Sequence, residues 1–142
     1  METSAYWFKT WCVASRWQRE VDAALVPWRL AHTRYLLLHL ADRLIRQTGD
    51  AIMQRQLADA TFIGESAVST AVSALCDQGL IDRDIQGVGL LAYRLMVTDA
   101  GHELLARTRP VVEALAARFF DEFGHDPATP DEATVPARTG GL

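Results

Sequence analysis

Gln54-Arg55-Gln56-Leu57-Ala58-Asp59-Ala60-Thr61-Phe62-Ile63-Gly64, followed by Glu65 to Gln78, is the stretch that decides how this chain folds. The first part reads as a short amphipathic helix closed by a turn, and Gly64 is expected to take the positive φ of its exit. In the second part Ala67, Val68, Ala71, Val72 and Leu75 recur at helical spacing and define an apolar face. Ser66, Ser69, Thr70 and Ser73 fall on the opposite face, where small hydroxyl side chains let a helix lie close against another surface. Gly79 ends that helix and Leu80-Ile81 opens a strand. Leu80 to Gln86 and Leu91 to Val97, joined through Gly87-Val88-Gly89, read as a hairpin. Thr98 then caps a helix whose first turn opens on acidic Asp99, with Glu103 just beyond it. Helix, turn, helix, hairpin, helix is the order of a winged helix-turn-helix, with the hairpin as a small antiparallel β-wing.

Outward from this module, the chain is mainly α. An N-terminal helix is expected from about Ser4 to Val26, with Trp7, Trp11, Ala14, Trp17, Val21 and Leu25 as an apolar stripe. Pro27 interrupts it. A second helix, about Leu30 to Gln47, is apolar around much of its girth and is the expected central helix. Ala51-Ile52 can add one rung of strand. The last helix continues past Pro110 through Val111, Val112, Leu115, Phe119 and Phe120 to about Phe123. Residues 1–123 therefore form one domain, with the reading module at about 51–98 between end helices at about 4–26 and 98–123.

At 142 residues and 49 % hydrophobic, the chain has apolar mass for one core. Its acidity is local: residues 1–120 carry 13 acidic and 13 basic side chains, so the net −4 comes from Asp121, Glu122, Asp126, Asp131 and Glu132 against Arg138. With Pro127, Pro130, Pro136 and Gly140-Gly141, residues 124–142 read as an acidic, disordered tail. No secretory signal and no membrane span is legible, since Leu36-Leu37-Leu38 is followed by His39 and Asp42, so a cytoplasmic setting is expected. Cys12 and Cys76 lack metal spacing and fall in separate helices, and the four histidines are dispersed, so no metal or cofactor is expected. No nucleophile-base arrangement, phosphate loop or carboxylate pair is present, which points away from an enzyme.

Four segments, in register, resemble the MarR family of transcription regulators. They are Leu30-Ala31-His32-Thr33-Arg34-Tyr35-Leu36-Leu37-Leu38; Leu57-Ala58 with Ser66-Ala67-Val68-Ser69; Gly79-Leu80-Ile81-Asp82-Arg83; and Val97-Thr98-Asp99-Ala100-Gly101. The resemblance runs from about Tyr6 to Phe123. It implies a homodimer built from the first and last helices, binding pseudo-palindromic double-stranded DNA and often released by a small aromatic ligand. Three positions depart from the family's pattern. Thr70 stands where the reading helix usually has Arg, and Gly89-Leu90-Leu91 replaces the wing's Asp-x-Arg. Met53 stands where Ser or Thr usually caps the first reading helix.

In that frame Gln54, Arg55, Ser66, Ser69, Thr70 and Ser73 would face the major groove, with Arg83 and Arg94 along the wing edges. No Lys or Arg lies between Arg55 and Arg83, and phosphate neutralisation supplies much of the free energy of DNA binding. The alternatives stay open: the hydroxyls as a solvated helix face, Arg83 in an ion pair with Asp82 or Asp84. Apolar Val88, Leu90 and Leu91 either fold onto the domain or meet a protein partner. That second option defines a rival reading, a winged-helix interaction module with little or no DNA binding. Trp11, Trp28, His32 and Tyr35 are the candidate ligand pocket, or simply core. Trp7, Trp11, Phe119, Phe120 and Phe123 are the candidate dimer interface. Cys12 is either inert or a redox sensor, depending on its thiolate character.

Overall fold

In the computed structural model, which describes residues 3–85 and 93–123, five helices surround one small sheet. Helix α1 (Thr3–Ala24) runs into one 3-10 turn, Val26–Trp28, with Pro27 in its opening positions. Arg29, at φ 52°, swings the chain into α2 (His32–Thr48). Ala31 offers no side-chain cap to α2. Asp22 of α1 supplies it instead, its Oδ1 accepting from the His32 backbone N–H at 2.7 Å. Gly49, in the left-handed region at φ 72°, ends α2.

Strand β1 (Ile52–Met53) leads directly into α3 (Gln54–Thr61), and α4 (Glu65–Asp77) follows. The expected positive φ at Gly64 is not there: Gly64 is extended (φ −58°, ψ 144°), and Phe62 takes the left-handed position at φ 59°. The turn must reverse one residue after α3, where the Phe62 N–H reaches the Ala58 carbonyl at 3.1 Å, so the strain falls on an exposed phenylalanine. Met53 supplies no hydroxyl cap; the Gln56 side chain accepts from the Met53 N–H at 2.7 Å. In α4, Val68, Ala71, Val72 and Leu75 are buried, whereas Ala67, placed on that face by spacing, is exposed at its edge. Gly79 (φ 73°) closes α4, with Gly79 N–H on Cys76 and Leu80 N–H on Leu75, so the last carbonyls are satisfied.

Strands β2 (Ile81–Ile85) and β3 (Tyr93–Val97) pair antiparallel, and β1 adds to the other side of β3, giving the order β1-β3-β2. Alternation puts Ile52, Ile81, Leu95 and Val97 in the core, and Met53, Asp82, Arg94 and Met96 outside. The apolar wing residues Val88, Leu90 and Leu91 and the acidic tail lie outside the described residues. Helix α5 (Asp99–Phe123) continues through Pro110. The core joins Val21 and Leu25 of α1, Leu37, Leu38 and Ala41 of α2, and Leu57, Val68, Val72, Leu75, Leu95 and Leu105.

Two polar features hold α5 in place. At its start, Thr98 donates through Oγ1 to the Gly79 carbonyl at 2.6 Å and accepts from the Gly101 N–H at 3.0 Å. Gly101 sits so close to β2 that a Cβ there would run into the Leu80 carbonyl oxygen and the Val97 side chain. Farther along, Asp42 of α2 is 1 % exposed and receives Arg109 Nη2 at 2.5 Å, Arg46 Nε at 3.1 Å and His102 Nε2 at 3.1 Å. Burial pushes the Asp42 carboxyl up, but hydrogen bonds and charge from Arg109 and Arg46 outweigh it and hold it below the ordinary range. Arg109 Nε also donates to His39 Nδ1 at 3.1 Å. Burial, then the charges of Arg109 and Arg43, lower the His39 pKa, opposed by Asp42 and Glu113.

Two outcomes are expected. Ala normally stabilises a helix interior by about 1 kcal/mol over Gly, but Gly101→Ala should destabilise by about 2 kcal/mol through overpacking against backbone. Urea unfolding that finds the variant as stable as the parent would contradict the close approach. His39 is favoured neutral in the fold, so its contribution is full above about pH 6.5 and is lost as pH falls toward its lower folded value. Melting temperatures should decline from pH 7.5 to 5.5 more steeply in the parent than in His39→Gln. Parallel profiles would show that His39 does not titrate as its surroundings require.

Candidate nucleic-acid interface

The amphipathic spacing of α4 forces its apolar residues inward, and with them fixed, Ser66, Ser69 and Thr70 are exposed on one side. Thr70 Oγ1 donates to the Ser66 carbonyl at 3.0 Å, so its proton is committed to its own helix and its lone pairs remain available to a donor. Arg55, in the first turn of α3, has 79 % of its side chain exposed and sits 3.9 Å from Asp59, one turn on. An exposed pair at that distance contributes roughly 0.3–0.5 kcal/mol and yields readily to a phosphate.

Ser73 and Gln54 are placed differently. Arg83 lies on the inner face of β2, opposite buried Leu95, and reaches across to both. Its Nη2 donates to Ser73 Oγ at 3.2 Å and toward Gln54 Oε1 at 3.5 Å. Gln54, Ser73 and Arg83 are thus brought together as a half-buried tie between the start of α3, the middle of α4 and the sheet. Strand alternation turns Arg83 inward, and not along the wing edge where the sequence placed it. Its charge also opposes the effect of burial on the neighbouring Cys76 thiol, whose pKa burial pushes up.

Arg94 lies on the outer face of β3, opposite Asp84 on one side and Met53 on the other, with Nη1 3.7 Å from Asp50. Around it this face presents exposed Asp82, Asp84, Met53 and Met96. The cations expected along the wing edges are therefore split between an inward tie and an acidic, apolar face.

The aromatic side chains of the end helices also separate. Trp7 and Trp11 are 63 % and 69 % exposed, and Phe8 beside them is exposed. Phe119, expected at the interface between two copies, is 3 % exposed and buried in its own chain. It meets Trp17 edge-on at 5.4 Å and Phe120 at 5.1 Å, because α1 and α5 already pack together within one copy. Phe120 is half-buried against Trp17 at 5.3 Å. The Phe123 side chain lies outside the described residues.

Of the four pocket candidates, Tyr35 is buried and stacked on His39, with centroids 5.9 Å apart. The His32 ring lies 2.9 Å from Asp22, whose carboxyl burial raises and the two His32 hydrogen bonds lower, to a net depression. Trp28 is half-buried against the core, and exposed Trp11 stands apart on α1. Cys12 is exposed and free, and Cys76 is free and half-buried. Among the described residues no group of His, Cys, Asp or Glu has the makings of a metal site, and no helix is long and apolar enough to cross a membrane.

Sequence reasoning missed the cleft between α2 and α5, of about 440 Å³, lined by His39, Asp42, Arg43, Arg46, Gln47 and Arg109. The one available signal was the Asp42, Arg43 and Arg46 cluster at the end of an otherwise apolar helix. Arg109, 67 residues away from Asp42, could not be linked to it by spacing.

No protein-family model matches the chain. It is 29 % identical over 113 residues to an uncharacterised HTH-type transcriptional regulator, YdcH of Bacillus subtilis, covering 80 % of this chain and 76 % of that one. A MarR-family transcriptional regulator from Rhodococcus sp. RHA1 superposes with a TM-score of 0.71 at 23 % identity, over 85 % of this chain and 83 % of that one. The MarR-family protein Rv2887 of Mycobacterium tuberculosis has been solved in complex with DNA (TM-score 0.61, 23 % identity) and with salicylic acid (TM-score 0.60, 24 % identity). Each comparison covers 81 % of this chain and 82 % of that one. Helix order, the β1-β3-β2 sheet and the long α5 are thus those of the winged helix-turn-helix of the MarR family, and that is the fold of this chain.

Proposed function

We propose that the chain is a DNA-binding transcription regulator that acts as a homodimer and reads a pseudo-palindromic operator with α4. The observation that carries this reading is the exposed Ser66, Ser69 and Thr70 face beside the exposed Arg55. Short hydroxyl side chains can approach base edges closely, while Arg55 at the start of α3 neutralises phosphate, helped by the positive end of that helix. The complex of Rv2887 with DNA supports the assignment, as does the regulator description of YdcH. Arg83 serves chiefly to hold Gln54 and Ser73, so that the two helices present one surface. Release by a small aromatic ligand rests on the salicylic acid complex of Rv2887 and on Trp28, His32 and Tyr35 near the α1–α2 junction. Neither comparison names a catalytic activity, and the reading is of a regulator and not an enzyme.

A second reading has its own support. Around Arg94 the outer sheet face sets Asp82 and Asp84 beside the apolar side chains of Met53 and Met96, as suits a protein partner approaching the wing.

Salt dependence separates the two. Arg55 and Arg94 from both subunits give four phosphate contacts, hence a log–log slope of roughly −3 to −4 in operator binding. Arg55→Ala should flatten that slope and weaken all sequences alike. Ser69→Ala or Thr70→Ala should each lower discrimination between operator and random DNA by about 1 kcal/mol. Absence of binding even at low salt, with intact folding, would favour the protein-partner reading.

Assembly follows from the exposed half of α1. Trp7 and Trp11 project beyond the chain's own core and require cover of the size a second copy provides. Light scattering at micromolar concentration should give twice the 15.8 kDa chain mass, and Trp7→Ala with Trp11→Ala should shift the molecule to monomer. A parent protein that runs as a monomer would remove the dimer from this proposal.

A further inference from the structure

The geometry points to a binding site for a small oxyanion, a carboxylate or phosphate group, in the cleft between the C-terminal half of α2 and α5. Three guanidinium groups, those of Arg43, Arg46 and Arg109, line a space of about 440 Å³ against the single carboxylate of Asp42. That carboxylate is already engaged by Arg109, Arg46 and His102, so it does not project a free negative charge into the opening. Arg43 is exposed, with no ion-pair partner among the described residues, and 69 % of the Arg46 side chain is open to solvent. Arg43 can turn its fork to an incoming anion freely, while Arg46, held to buried Asp42 through Nε, can offer its terminal nitrogens. Glu113 on α5 acts on His39 from farther off and leaves the lining cationic.

The remaining walls are suited to the same occupant. His39 accepts from Arg109 at Nδ1, so the neutral ring carries its proton on Nε2 and is a hydrogen-bond donor there. Stacking on Tyr35, at 16° between planes, fixes that ring. Gln47 adds an amide donor at the outer end. Planar guanidinium groups with neutral donors beside them match the two or three oxygens of a carboxylate or phosphate and would suit a metal cation poorly. A volume of this size admits an organic acid or phosphorylated metabolite larger than the anion itself. The site lies apart from Ser66, Ser69, Thr70 and Arg55, and the inference does not depend on DNA being the target.

The test is amide NMR of the full chain titrated with pyrophosphate, inorganic phosphate and benzoate, with sodium chloride at matched ionic strength as reference. Saturable shifts centred on residues 39–47 and 109 are expected, absent with chloride. Preference between the phosphate probes and benzoate identifies which oxyanion the cleft takes. Arg43→Gln, at an exposed position with no ion-pair partner among the described residues, should weaken binding about fivefold, as loss of an exposed charge-assisted hydrogen bond implies. Arg43→Gln with Arg46→Gln should abolish it, and should the double variant unfold, the single one decides. Non-saturating shifts, shifts centred on Arg55, or undiminished binding by folded Arg43→Gln would overturn the proposal while leaving the DNA reading intact.

Discussion

A carboxylate withdrawn from water inside a small helical domain must be met by donors, and Asp42 imposes that requirement here. It is enclosed where α2 and α5 cross, and both its oxygens are occupied by side chains from its own helix and from α5. Removing one partner of a buried pair typically costs 3–5 kcal/mol, because the other charge is left without compensation. A hydrophobic replacement could hold the helices together as firmly, but it would leave them freer to slide. Arg109, reaching both Asp42 and His39, fixes where along α2 the long helix lies. The His39–Tyr35 stack extends that registry by one more turn.

The corner at Thr98 supplies the other end of the same arrangement. One threonine hydroxyl bonds both the end of α4 and the start of α5, and Gly101 lacks the Cβ that would run into the Leu80 carbonyl. Helix α4, the first strand of the wing and the long C-terminal helix therefore meet at a closely packed junction. A displacement of α5 has to be felt at Gly79 and hence at the end of α4. Coupling of that kind suits a molecule in which events between the outer helices alter what α4 presents. The Arg83 tie to Gln54 and Ser73 makes the rest of that surface stiff.

For the proposed reading of DNA, charge is distributed in an unusual way. Three arginines open into a cleft between α2 and α5, one is turned into the domain at Arg83, and Arg94 is set among acids. Arg55 is the cation best exposed beside the hydroxyl face of α4. Recognition on such a surface leans on close fit and hydrogen bonding more than on long-range attraction, which makes it sensitive to the positions of α3 and α4.

Periodicity, together with its glycine stops, made the architecture legible. The 3.6-residue spacing of Val68, Ala71, Val72 and Leu75, the strand alternation around Ile81 and Leu95, and the stops at Gly49 and Gly79 are local properties, and local sequence determines them. The exposed hydroxyls of α4 follow from the same spacing. What local sequence could not decide depends on partners distant in the chain. Phe119 reads as a surface aromatic until Trp17, more than a hundred residues earlier, is found against it. Arg83 reads as a wing-edge cation, facing DNA or paired with Asp82 or Asp84, until strand alternation and the placement of α4 turn it inward onto Ser73. Phe62 takes the strained backbone that Gly64 was suited for, because the point of reversal is set by where α4 must dock and not by the residue best able to bend. Asp42 reads as the polar end of an apolar helix; only tertiary structure, by bringing Arg109 and His102 across from α5, makes it a buried ionic centre.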